Sequence, residues 1–223
     1  MNIPWRSIPK GHAEYPRRLY ALEDAPQVLY VGGRLPATGV AIIGSRYADE
    51  EACRFAFALA RSLGAPVISG LARGIDAAAH RGALAARVPT LAYLGTGIDR
   101  TFPPEHDELA LAIVAAGGAL ATEQPPGTEA TEATLRARDR LQAAHSAAIV
   151  LVTTEIDGGA MHTMRFAREL GRPRFACASR GPADAGNRLA VSDGAIELPW
   201  EIGAARERIT QGLALCSNQW LIR

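Results

Sequence analysis

A chain of 223 residues, 48% hydrophobic and 21% charged, can bury a full α/β core and excludes global disorder. Its formal net charge of +1 excludes a protein held on nucleic acid by bulk charge; any such binding must come from a local cluster of arginines, which carry nearly all the positive charge. The amino terminus lacks the apolar core of a signal peptide, the stretch from Leu109 to Ala121 is broken by Gly117-Gly118, and Cys53, Cys177 and Cys216 show no metal-ligand spacing, so the expectation is a cytoplasmic protein with reduced, buried thiols, no membrane span, no metal and no cofactor.

Residues 1–38 form a Pro-studded lead-in, with a short helix through Arg17 to Leu22, a strand at Val28 to Val31 and a Gly32-Gly33 turn. From Val40 apolar runs alternate with amphipathic stretches. Val40 to Ile43 reads as a buried strand. Asp49 then starts a helix with Ala52, Phe55, Ala56, Leu59, Ala60 and Leu63 on one face. Strands follow at Val67-Ile68, Thr90 to Leu94, Ala119 to Thr122, Ala148 to Val152 and Arg174 to Ala178. The helices between them run over Ala77 to Ala86, Pro104 to Ala116, Thr131 to His145 and Gly159 to Leu170. This alternation predicts an extended Rossmann-like, three-layer α/β fold with a mostly parallel sheet over residues 39–199. The tail 200–223 is read as one amphipathic helix and a short strand, not a separate domain.

In such sheets ligands sit beyond the carboxyl ends of the strands, where the Gly-rich loops of this chain fall. Gly44-Ser45-Arg46 puts a turn, a hydroxyl and a guanidinium at a strand-to-helix junction suited to an anion; the alternative is a tight turn with a solvated arginine. In the segment from Ser69 to Ala83, Gly70 and Gly74 allow close backbone approach and present Arg73. Asp76 is read as the cap of the following helix and His80 as a packed histidine, not as a catalytic pair. Gly97 can admit a phosphate or a base, while Phe102 is assigned to the core in preference to a stacking role at the rim. On the predicted helix from Thr131, Arg136 and Arg140 share a face and Arg138 points elsewhere, either tracking phosphates or simply solvated. Gly158-Gly159 opens a helix whose His162 and Thr163 either face a ligand or serve the helix alone. The chain carries no Walker A, H-E-x-x-H or G-x-S-x-G motif, and no G-x-G-x-x-G with a downstream acid, so no catalytic residue is assigned.

The run from Ser69 to His80 resembles the signature of the DprA/Smf DNA-processing family without a break. In the family's order come Tyr15-Pro16, Ala41 to Arg46, Leu94 to Asp99, Pro103 to His106, Glu123 with Pro125 to Gly127, Gly159 to Thr163, Gly171-Arg172 and Gly186 to Leu189. The resemblance covers Tyr15 to Leu198 and suggests a short, divergent member. It implies a non-enzymatic protein that binds single-stranded DNA, dimerises and helps load a RecA-type recombinase during DNA uptake and recombination. Carried over, it puts Ser45, Arg46, Arg73, Gly97 and the arginines Arg138 and Arg140 along the DNA pocket; with Gly44, Gly70, Gly74, Gly159 and Thr163 of the Gly-rich loops they make the candidate phosphate-binding set. One segment departs: where the family has Phe-Pro-x-Arg-Asn-Arg, this chain has Leu135-Arg136-Ala137-Arg138-Asp139-Arg140, without the aromatic and with an added carboxylate. That change keeps open a second reading, a nucleotide-binding sensor or hydrolase of the same superfamily, in which Asp139 accepts a ribose hydroxyl. A structural protein that no longer binds a ligand is a third.

Overall fold

The computed structural model describes residues 3–219, with side chains to Leu215. One nine-stranded sheet forms its centre. The strands are β1 (Trp5–Pro9), β2 (Val28–Gly33), β3 (Val40–Ile43), β4 (Val67–Ser69), β5 (Thr90–Tyr93), β6 (Ala119–Thr122), β7 (Ala148–Leu151), β8 (Arg174–Cys177) and β9 (Ile196–Leu198). Their order across the sheet is β1-β2-β6-β5-β4-β3-β7-β8-β9. Pairing is parallel from β6 to β9, whereas β1–β2 and β2–β6 are antiparallel. The chain therefore winds outward from β3 in one direction through β4, β5 and β6, then returns to β7 and winds the other way. The crevice between β3 and β7 is the switch point of the fold.

The helices are α1 (Glu50–Ser62), α2 (Ile75–Ala85), α3 (Asp107–Ala115), α4 (Glu132–His145), α5 (Ala160–Glu169), α6 (Ala185–Ser192) and α7 (Ile202–Gln219). Alternate residues of each central strand serve opposite layers. Val40 and Ile42 pack with Ala52, Phe55 and Leu59 of α1 and with Ala79 of α2. Ala41 and Ile43 pack with Leu141 and Ala144 of α4 and Met164 of α5. This two-sided burial is why the strands read as unbroken apolar runs. Among the described residues no helix is long and apolar enough to cross a membrane.

The lead-in is more regular than its sequence implies. β1 is an edge strand in which Ile8 alone is buried, so it lacks the apolar alternation that marks a strand, and β2 runs on through Gly32 and Gly33 instead of turning there. The helix predicted over Arg17 to Leu22 is a 3-10 turn, Arg17–Ala21. α6 and the three-residue edge strand β9 also escape the sequence patterns. In the tail the predicted helix is α7, while its short strand lies outside the described residues. Cys177 is buried and Cys53 half-buried, both as free thiols; the side chain of Cys216 lies outside those described.

Two histidines anchor the layers. Thr90 Oγ1 donates to Val67 O at 2.9 Å, so it accepts from His80 Nδ1 at 2.8 Å and fixes the tautomer. His145 holds Tyr93 Oη at 2.7 Å through Nδ1 and donates from Nε2 to Pro36 O at 3.1 Å. Burial pushes His80 down to about 3 and His145 down to about 4. His80 is a packed histidine with Nδ1 tied to a threonine.

α1 and α2 cross closely because Gly82 has no side chain: a Cβ there would stand 2.2 Å from Phe57 O and 2.9 Å from Ala60 Cβ. Gly82→Ala must force the two helices apart, and the expected loss of stability is about 1–3 kcal/mol. It would be read as a lower urea midpoint with an unchanged m-value.

Candidate functional site

Three loops meet over the switch point. The β3–α1 loop starts at Gly44, where a Cβ would lie 2.6 Å from Ile75 Cγ1 and 2.8 Å from Thr153 O, so only glycine allows the neighbouring loops this close. Ser45 N donates to Thr153 O at 2.7 Å, and Asp49 caps α1 by accepting from Ala52 N at 2.7 Å. The β7–α5 loop is pinned from behind by Asn187, whose Oδ1 accepts from Thr154 N at 3.0 Å while Nδ2 donates to Val152 O and Cys177 O, both at 2.9 Å. The start of α4 is closed by reciprocal bonds between Thr131 and Thr134.

Between these loops lies a cavity of about 720 Å³. Gly44, Ser45, Arg46, Arg138, Gly159 and Thr163 all line it, so the structure brings six of the anticipated residues together. Gly159 has open space where a Cβ would stand. Arg46 is exposed, and among the described residues no carboxylate pairs with it. A larger cavity of about 990 Å³ lies between the lead-in, α4 and α5, but its rim is acidic with Glu23, Asp24, Glu132 and Glu169, and its two arginines are already paired. The smaller crevice is the candidate because the free cation, the hydroxyls and the bare backbone meet there.

The other five residues are placed differently. Gly70 faces Arg138, with a notional Cβ only 1.3 Å from its Nη1, and Gly74 packs on Ser45 O. Gly97 is buried against Pro125 O and Asp99 Oδ1, which a Cβ would approach to 2.6 and 2.7 Å. These three glycines shape the loops and do not line the cavity. Arg140 lies outside it too, holding Glu123 through both terminal nitrogens at 2.6 and 2.8 Å and Asp24 through Nε at 2.7 Å. Arg73 is exposed and paired with Glu105 at 2.5 Å. Arg136 is exposed and paired with Glu132 one helical turn earlier.

Arg138 forms the floor. It is 5% exposed, and its Nη1 donates to Tyr93 O at 3.2 Å while Nε lies 2.9 Å from Asp139 Oδ1. Asp76 Oδ2 stands 4.0 Å from Nη1 and accepts from Gly70 N at 3.1 Å and Ala72 N at 3.3 Å. Asp76 therefore braces the loop before α2; the N-cap position of that helix belongs to Gly74. Two carboxylates thus share one buried guanidinium. Burial pushes both upward, Asp139 from 3.8 to about 6, against the pull of Arg138 and Arg46.

Two rim aromatics were not legible as such. Phe102, assigned to the core, is 44% exposed and lines the cavity, standing in the loop before the 3-10 turn Pro104–His106 and outside any packed helix or strand. Tyr47 is 87% exposed on the same rim, beside Arg46. Its position directly after Gly-Ser-Arg was the available signal. Among the described residues no group of three or more His, Cys, Asp or Glu is placed to hold a metal.

The family profile described as DNA recombination-mediator protein A matches residues 6–204. The chain belongs to that family. It is 33% identical to protein Smf of Escherichia coli over 198 residues, 85% of this chain and 53% of that protein. The structure of DNA processing protein A from Streptococcus pneumoniae aligns with a TM-score of 0.80 at 26% identity, over 89% of this chain and 71% of that one. The single-stranded-DNA-binding DNA processing protein A of Helicobacter pylori shares the fold, with a TM-score of 0.82 at 23% identity, over 94% of this chain and 97% of that one. The chain spans about half the length of the curated relatives it matches.

The shared guanidinium makes a pH-dependent prediction for this family member. Because the folded-state value of Asp139 is raised, the native protein holds a proton that the unfolded chain has released between about pH 3.8 and 6. That contribution to stability is present at low pH and is lost as pH rises through about 6. Asp139→Asn should therefore stabilise the protein above pH 7, by on the order of 2–3 kcal/mol. The gain should shrink as pH falls below about 5, and melting temperatures of both proteins across pH 4.5 to 8 would check it. A pH-independent difference would refute the assignment.

Proposed function

We propose that this chain binds single-stranded DNA in the switch-point crevice and acts in DNA processing, protecting the strand and helping to load a RecA-type recombinase, as a homodimer. The observation that carries the reading is one rim on which an unpaired, exposed arginine, Arg46, stands beside two exposed aromatic rings, Tyr47 and Phe102, with hydroxyls and glycine backbone lining the crevice beside them. A single strand offers unstacked bases and phosphates together, and such a rim meets both. Membership of the DNA recombination-mediator family and the named activity of the H. pylori fold relative support the same ligand. Arg73 joins as a second phosphate contact by exchanging Glu105 for a strand phosphate. Their ion pair is exposed and weak, so the exchange is cheap. Arg138 contributes through position, holding the floor in place; Arg140 acts outside the crevice.

The second reading, a nucleotide or nucleotide-derived ligand, rests on Asp139, which lines the crevice as an acceptor for a ribose hydroxyl. Thermal shifts with ribo- and deoxyribonucleotides separate the two: stabilisation by mononucleotides without any oligonucleotide binding would favour the sensor.

Fluorescence-anisotropy titrations of a dye-labelled single-stranded oligonucleotide at two salt concentrations test the main reading. Arg46→Ala is expected to weaken binding about tenfold and to flatten the salt slope by about 0.7, the loss of one phosphate contact. Tyr47→Ala is expected to cost about 1–3 kcal/mol, while Tyr47→Phe retains binding because the ring face does the stacking. Equal affinity in all three variants, or no binding by the wild type, would sink the proposal.

A further inference from the structure

Arginines on the carboxyl edge of the sheet mostly have carboxylates, as Arg73, Arg136, Arg138, Arg140 and Arg180 do. At the opposite edge, where α4 ends before β7, the pattern changes. Arg18 Nη2 donates to Ser146 O at 3.0 Å, and Arg172 Nη2 donates to Ala144 O at 3.0 Å. Both side chains are half-buried, and among the described residues neither has a carboxylate partner. Two guanidiniums therefore grip the same helix end, two residues apart. Burial and the neighbouring Arg18 charge pull Arg172 down to about 10.

The polar atoms around them are under-satisfied. Among the described residues four buried side-chain polar atoms lack a hydrogen-bond partner, and three belong here: Arg18 Nε, Arg172 Nε and the Oγ of fully buried Ser146. The Nη1 of each guanidinium also has no partner among the described residues. Buried or half-buried charges are ordinarily paired. The end of α4 supplies only roughly half a negative charge against the two cations. What the cluster lacks is an anion, which the free Nη1 of each guanidinium can meet with a charge-assisted hydrogen bond.

We propose that Arg18, Arg172 and Ser146 form a second binding site, for a phosphate group, at the amino edge of the sheet and on the opposite side from the crevice. The phosphate is either free in solution or part of a nucleic-acid backbone. The site stands independently of the proposed function, since inorganic phosphate alone can reveal it.

The test titrates inorganic phosphate into the full chain by calorimetry and thermal shift, beside sodium acetate at matched ionic strength. Wild type and Arg46→Ala are expected to bind phosphate, with Arg18→Gln and Arg172→Gln each weakening it at least tenfold. Should either glutamine variant not fold, Arg18→Lys or Arg172→Lys keeps the charge but not the fork and is expected to show a smaller loss. To separate the sources, the same variants are titrated with a short oligonucleotide confined to the crevice and with a strand long enough to pass round the edge. A backbone phosphate predicts that the salt slope falls by about 0.7 for the long strand only. A free phosphate predicts unchanged slopes for both. The proposal is overturned if neither inorganic phosphate nor the long strand responds to these substitutions, or if phosphate binding disappears in Arg46→Ala and survives in the Arg18 and Arg172 variants. It is overturned equally if acetate binds as tightly as phosphate, which would make the site a carboxylate dock.

Discussion

The burial of one guanidinium organises the carboxyl edge of this sheet. Arg138 leaves α4, passes under the β4–α2 loop and reaches the carbonyl of Tyr93 at the end of β5. It thereby ties together three elements that are distant in sequence. A buried arginine is tolerable only when its donors are satisfied and its charge is met. Asp76, Asp139 and the Tyr93 carbonyl do this. The glycine at position 70 follows from the same constraint, because the guanidinium occupies the space any larger residue would need.

That brace has an electrostatic consequence for the crevice above it. Two carboxylates crowd one guanidinium in the floor, burial pushes both upward, and Arg46 draws on Asp139 from the rim. A phosphate approaching the floor meets Asp139, whereas one approaching the rim meets Arg46, which is exposed and in no ion pair among the described residues. The proposed strand is therefore held at the lip, by the arginine and the two rings, and its phosphates stay out of the depth of the cavity. With a net charge of only +1, stacking must supply a larger share of the affinity than it would in a basic protein.

Much of the fold was legible because the central strands are buried on both faces and the glycines sit at their ends. Val40 to Ile43 and Ala148 to Leu151 are recognisable as continuous apolar runs, and Asp49 and Thr131 mark helix starts by their capping chemistry. β1 and β9 were not legible, since an edge strand with one buried residue carries no pattern. The site divides along a similar line. Spacing put Gly44, Ser45, Arg46, Gly159 and Thr163 at strand ends, and strand ends are what the sheet gathers. Nothing in local spacing tells an arginine that meets solvent from one that meets Glu123 and Asp24 across the fold, which is why Arg140 was grouped with Arg46. Phe102 stands in a loop, where periodicity has no hold on which way a ring faces.

The crevice and the end of α4 resolve their arginine charge by different means, and this bears on how the protein works as a whole. On the carboxyl edge most guanidiniums near the crevice are neutralised internally, so they fix loop positions, while Arg46 is left to attract an anion. On the amino edge Arg18 and Arg172 are held by helix carbonyls alone, which orient them without cancelling their charge. A carbonyl dipole fixes a guanidinium at little electrostatic cost to its partner, whereas a carboxylate consumes it. Counting arginines therefore says little about where this chain meets anions. What distinguishes a structural arginine from an available one here is the chemical identity of the acceptor that holds it.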